Sequence, residues 1–174
     1  MWDDPARSAL APPEYAIAAL DGAAQAARRF SVDAREVLAC AQAEARAADD
    51  NHVGTEHVVL GILARPQCPG AKALLHLGIS RQVFVAQRHE TEGSSPVGRI
   101  PHTPRTNRII ALAGAMADAT GDDSVTSLHL LLGVIAESEE WHASGRGGPH
   151  HLREAAQAVG TSLDEIREAV ERVP

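Results

Sequence analysis

The chain has 174 residues, with Lys+Arg 16 against Asp+Glu 23 and a formal net charge of −7 at pH 7. That length suits one domain or two small fused repeats, able to bury roughly two-thirds of the unfolded chain's surface without a disulfide or metal staple. The acidic balance argues against a nucleic-acid or anionic-membrane surface, two cysteines define no disulfide framework, and no apolar run is long enough to span a membrane.

Met1-Trp2-Asp3-Asp4 lacks the basic-then-apolar pattern of a signal peptide, which with plain thiols at Cys40 and Cys68 predicts a cytoplasmic protein. Pro12-Pro13 interrupts the first segment, and Glu14 to Arg29 is Ala-rich with Tyr15, Ile17 and Leu20 at amphipathic spacing. Residues 1–29 are expected to form an N-terminal extension, partly helical. From Phe30 the pattern becomes regular. Ser31 can cap a helix over about Val32 to Ala48, and Thr55 a second over about Glu56 to Ala64. Pro66 to Pro69 makes a turn. A third helix follows over Gly70 to Leu77, where Gly78 can supply a left-handed cap, and Ser80 opens a fourth with Val83, Phe84 and Val85. Residues 89–99 are rich in Gly, Ser and Pro and read as a linker.

Beyond the linker the chain repeats itself. His57 and His129 share an offset of 72 residues, and that offset runs without a gap back to Phe30 opposite His102. Along it Ala39, Ala41, Ala43, Ala45 and Ala47 meet Ala111, Ala113, Ala115, Ala117 and Ala119, and Gly61 meets Gly133. Both glycines lie inside an apolar helical stripe, where Gly costs about 1 kcal/mol against Ala, so close helix packing is expected at each. Thr103 with Pro104 at the first helical position repeats the Ser31 cap, and Ser127 repeats Thr55. The first repeat is therefore set at 30–88 and the second at 100–174. The second repeat's last two helices align only after a ten-residue insertion, expected as a loop over 137–149 that carries Trp141. Ser162-Leu163-Asp164-Glu165 is a capping box for the last helix.

The residues Phe30-Ser31, Ala34-Arg35-Val37-Leu38, Gly54-Thr55-Glu56-His57 and Leu60-Gly61, with Thr103-Pro104-Arg105 and His129-Leu130-Leu131-Leu132-Gly133, carry a resemblance. The chain resembles the N-terminal domain of the Clp/Hsp100 unfoldases, ClpC type, over roughly residues 30 to 172. The fold this implies is all-α, two four-helix repeats in a pseudo-twofold arrangement. The function it implies is non-enzymatic binding of proteins and peptides, as adaptor, decoy or modulator in Clp-dependent proteolysis. No Gly-x-x-x-x-Gly-Lys-[Ser/Thr] phosphate loop occurs in the sequence, so the chain is expected to be either a free-standing relative of the receptor domain, which residues 1–29 favour, or an excised piece.

The resemblance also implies partners and a site. ClpC-type domains receive substrates, adaptors and arginine-phosphorylated proteins, the Glu of Gly-Thr-Glu-His pairing with the guanidinium while helix N-termini with Ser or Thr take the phosphate. Carried over, the candidate ligand-binding residues are Thr55 and Glu56, Ser31 and Val32, and Thr103 and Arg105. The second Glu position is Leu128, so at most one of two symmetric pockets is expected to bind phosphoarginine. The groove between the first helices of the repeats binds cyclic-peptide antibiotics in the family. Here His102 and Asn107 replace the usual aromatic and lysine, which is expected to weaken drug affinity. The helix-dipole role of a first-turn carboxylate is the plain alternative for Glu56.

Nine histidines suggest metal, yet no His-x-x-x-His or Cys-x-x-Cys spacing occurs, so no metal or other cofactor is expected. His57 and His129 read as structural. Two further readings stay open: a small His-dependent hydrolase or transferase built on the insertion around Trp141, and a structural oligomerisation unit using the apolar face of residues 14–29.

Overall fold

A computed structural model describes residues 29–87, 98–146, 148 and 150–173. The extension expected over 1–29 and the linker expected over 89–99 fall almost wholly outside them. The described residues form eight helices and no strand. In chain order they are α1 (Val32–Ala47), α2 (Thr55–Leu63), α3 (Pro69–His76), α4 (Arg81–Ala86), α5 (Pro104–Thr120), α6 (Ser127–Ala143), α7 (His151–Ala158) and α8 (Leu163–Glu171). None of them is long and apolar enough to cross a membrane.

The 72-residue offset reappears in the packing. α1 buries Ala34, Val37, Ala41 and Ala45, and α5 buries the equivalent Thr106, Ile109, Ala113 and Ala117 together with Ile110. Each stripe lies on the helix that follows, α1 on α2 and α5 on α6. The glycines set how near these pairs approach. A Cβ at Gly61 would collide with Val37 O and sit 2.9 Å from Ala41 N; one at Gly133 would sit 2.6 Å from Ile109 O. Val37 and Ile109 are themselves offset equivalents, so both repeats use the same backbone-to-backbone contact.

α2 and α6 form the centre and contact each other. Every residue of α2 from His57 to Leu63 is buried, as a helix apolar on all sides must be. The outer helices cross between repeats: α3 packs on α8, and α4 on α7. Gly78 and Gly160, with φ of 81° and 75°, end α3 and α7 in the left-handed conformation that a side chain would strain.

Two short exchanges of backbone bind the repeats. Phe30 bridges Val125 and His102 bridges Val53, each in parallel. Ser31 N donates to Val125 O (2.9 Å) and Val125 N to Arg29 O (2.9 Å). The equivalents are Thr103 N to Val53 O (3.0 Å) and Val53 N to Pro101 O (2.8 Å). The start of each repeat is therefore held by the loop between the first two helices of the other. Gln42 adds a side-chain strand of its own, its amide donating to Ile100 O (2.7 Å) and accepting from Ile100 N (3.1 Å).

Two expectations need correction. Thr55 and Ser127 are first helical residues; the N-caps are Gly54 and Thr126. The insertion at 137–149 is not all loop, because α6 runs on to Ala143, 17 residues against the 9 of α2. Helical propensity through Glu137-Ser138-Glu139-Glu140 extends the core helix by two turns before the chain leaves it.

Candidate functional site

The exchange of backbone decides which candidate residues meet. Thr103 is bound to Val53 O, two residues before Thr55-Glu56, so Thr103, Arg105, Thr55 and Glu56 come together where α5 and α2 begin. Ser31 is bound to Val125 O by both its backbone and its hydroxyl, which places Ser31 and Val32 beside Ser127 and Leu128 at the start of α6. The seven candidates are thus two groups, the first drawn from both repeats and the second Ser31 with Val32, with His102 in the groove between α1 and α5. Sequence offset pairs Ser31 with Glu56 in one repeat, but the fold pairs Thr103 with Glu56.

At the first end, Thr103 caps α5, its Oγ1 accepting from Thr106 N (3.1 Å), and Thr106 Oγ1 donates to Val53 O (2.8 Å). Glu56, 19% exposed at its side chain, folds its carboxylate back over Gly54 at the N–H end of α2. It lines a cavity of about 10 Å³ together with Arg105, Glu137, Ser138 and His150. Arg105 makes a two-pronged ion pair with Glu137, Nε to Oε1 at 2.6 Å and Nη2 to Oε2 at 2.9 Å, and its guanidinium lies 4.4 Å from the Trp141 ring centre. Glu137 is only 4% exposed, and this pairing is what permits its burial.

The second end has the opposite electrostatics. The offset equivalent of Arg105 is Asp33, whose Oδ2 accepts Ser127 N at 3.0 Å while Oδ1 takes the Ser31 hydroxyl. Burial works to raise the Asp33 carboxyl, but the hydrogen bonds from Ser127, Ser31 and Ala34 outweigh it and hold it below the ordinary carboxylate value. An internal anion therefore already occupies the N-terminus of α6, and Leu128 supplies no carboxylate for a cation. Val32, 68% exposed, leaves this end apolar.

Both histidines of the repeated motif cap their own helices. His57 Nδ1 accepts Gly54 N (3.0 Å) and His129 Nδ1 accepts Thr126 N (3.1 Å), so each ring carries its proton on Nε2. Those protons face Asp50 Oδ2 (3.0 Å) and Asp122 Oδ2 (3.1 Å), which are again 72 residues apart. Asp50, Glu56 and His57 are the one group of three potential metal ligands among the described residues. Both nitrogens of His57 are committed, Nδ1 to a backbone N–H and Nε2 to Asp50, so the ring has no lone pair left for a metal ion. Glu56 Oε1, 3.3 Å from Nδ1, is a second acceptor drawn to the same helix end rather than a partner of the ring.

The groove between α1 and α5 is a cavity of about 430 Å³ lined by Phe30, Leu38, Gln42, Arg99, His102 and Asn107 among others. Burial, and next the charge of Arg99, push the His102 ring below its ordinary value against a hydrogen bond that the ring donates to Asn107, so the ring is neutral at pH 7.

Asp33, Asp50, Asp122 and Ser138 were not among the sequence candidates. The two aspartates facing the histidines were legible, since Asp-x6-His recurs at the same offset. Asp33 and Ser138 act across the fold and leave no such signal.

These are paired helical repeats, crossed at their first residues, with a His-capped core helix in each, and the family they point to is the Clp repeat N-terminal domain. The chain belongs to that family: the model of the Clp repeat (R) N-terminal domain matches residues 29–144. It is 36% identical over 118 residues to the negative regulator of genetic competence ClpC/MecB of Bacillus subtilis, a match covering 64% of this chain and 14% of that protein. It is 34% identical over 153 residues to the chloroplastic chaperone protein ClpC of Pisum sativum, covering 82% of this chain and 16% of that one. The chain thus spans only about a seventh of the length of these relatives. In fold it is similar to the Hsp104 N-terminal domain from Candida albicans, with a TM-score of 0.66 at 12% identity over 83% of this chain and 90% of that one.

Proposed function

We propose that the chain is a protein- and peptide-binding module of the Clp unfoldase system, without catalysis of its own, that recognises arginine-phosphorylated segments at the Glu56 end. Its partners on this reading are a ClpC-type unfoldase or that enzyme's substrates, with the chain acting as adaptor or decoy. The observation that carries the reading is the meeting of Glu56 with Thr103, Arg105 and the N-terminus of α2. A carboxylate, a guanidinium and backbone N–H groups in one place match a ligand that is cationic at one end and dianionic at the other. The Leu128 end, with Asp33 seated on its helix, has neither half of that recognition. The groove beside His102 is a second surface for peptides; for cyclic-peptide antibiotics its neutral His102 and Asn107 offer weaker anchoring.

The test is capture of a peptide bearing one phosphoarginine, measured by fluorescence anisotropy before and after treatment with an arginine phosphatase. Binding that disappears with the phosphoryl group, and that Glu56→Ala removes, supports the reading. Equal binding of the treated and untreated peptide refutes it.

A further inference from the structure

The cavity at the Glu56 end contains polar atoms that the fold does not satisfy. Ser138 is 5% exposed, yet its Oγ has no hydrogen-bond partner, and neither has the buried Nδ1 of His150. Both residues line the cavity that Glu56 and Arg105 share. Buried polar atoms are almost always hydrogen-bonded, so two orphaned ones on residues lining one space mark it as built for something polar. Ser138 lies in the extra two turns of α6, within the insertion that the first repeat lacks, and His150 directly follows that insertion and precedes α7.

The charge around the cavity specifies what that is. Glu56, Arg105, Ser138 and His150 line it together. α7 begins at His151 without a side-chain cap on its first N–H groups. A carboxylate sharing one cavity with a cluster of donors fits a ligand with a cation at one end and an anion next to it.

We propose that Ser138 and His150 are the anion-recognising half of the Glu56 site, donating to the phosphoryl oxygens of a ligand whose guanidinium pairs with Glu56. This rests on the phosphoarginine reading above. The cavity of about 10 Å³ admits one water-sized group, so a phosphoryl enters as the part-exposed His150 side chain moves to the rim, Arg105 keeping its pairing with Glu137. His150 faces Arg105 from α5, His142 from α6, and Arg153 and Glu154 from α7, with Glu56 and Glu137 across the cavity. Burial, then Arg105, Arg153 and His142, hold the free ring below its ordinary value against Glu154. A phosphoryl dianion reverses that balance, and the imidazolium offers two N–H donors where the neutral ring offers one. Binding therefore draws a proton onto His150.

The experiment uses the full chain and free phosphoarginine, with affinities by calorimetry from pH 6 to 8 and the His150 ring followed by NMR. The expected result is a ring titration midpoint that rises on saturation, and an affinity that falls several-fold as pH rises. His150→Gln lowers affinity about tenfold or more at pH 6 and flattens the profile, with the melting temperature unchanged. Ser138→Ala weakens binding at every pH. If His150→Gln binds with native affinity and the native pH profile while Glu56→Gln does not bind, the assignment of Ser138 and His150 is overturned and the Glu56 reading survives. If the native chain shows no phosphoarginine binding at all, both fall.

Discussion

Replacing Gly61 by Ala adds one methyl group where α1 and α2 touch backbone to backbone, and its cost follows from the geometry. The new Cβ collides with Val37 O and lies 2.9 Å from Ala41 N. Neither atom belongs to a side chain that can rotate away, so the two helices must separate by on the order of 1 Å. Separation loosens the stripe of Val37 and Ala41 over α2, and overpacking of this kind costs about 1–3 kcal/mol. Ala is the better helix former by about 1 kcal/mol, which offsets part of it. With rigid atoms on the far side the clash falls at the upper end of its range, leaving a net loss of about 2 kcal/mol. For a chain of this size that lowers the melting temperature by roughly 4–8 °C. Gly133→Ala, with 2.6 Å to Ile109 O, costs somewhat less. Thermal denaturation followed by circular dichroism decides the matter. A Gly61→Ala protein as stable as the native one would mean that the helices are not held at this separation.

His57→Ala removes the cap of α2 and the ring N–H that faces the Asp50 carboxylate, so we expect a loss of about 1.5–3 kcal/mol in urea denaturation. His129→Ala costs less, because Asp122 is solvated. A fragment ending at residue 88 loses the strand partners of Phe30 and Val53 and shows no cooperative melt alone, while mixing it with a fragment starting at 98 restores helical signal. Asp33, held below the ordinary 3.8, contributes stability above that value that is lost as pH falls through its folded value, so Asp33→Asn flattens the acid limb of a stability–pH curve below about pH 4. Leu128→Glu alone does not create a second phosphoarginine site, because Asp33 still occupies the N-terminus of α6, and calorimetric stoichiometry stays at one per chain.

The repeat itself was legible because its signals are local. Caps at Ser31 and Thr103, alternate small residues along α1 and α5, and paired glycines each act within one helix or between neighbours in sequence. What the sequence concealed was the crossing. Ser31 and Glu56 stand in one repeat by sequence, yet the Phe30–Val125 and His102–Val53 bridges deliver Thr103 to Glu56 and Ser31 to Leu128. The same crossing explains why Asp33 caps a helix 94 residues away, and why Leu128 is not the only difference between the two ends. The insertion was visible as a length difference, but not that its first half extends α6 and sets Ser138 into the cavity beneath Glu56.

The central claim is that one end of the pseudo-twofold module is built for a guanidinium with an attached anion and the other is not. Titration calorimetry of the native chain with free phosphoarginine tests it most directly. The account predicts one site per chain, weakened by about 1.5–3 kcal/mol in Glu56→Ala and untouched in Ser31→Ala. Two equivalent sites, or a single site that Glu56→Ala leaves intact, would contradict it.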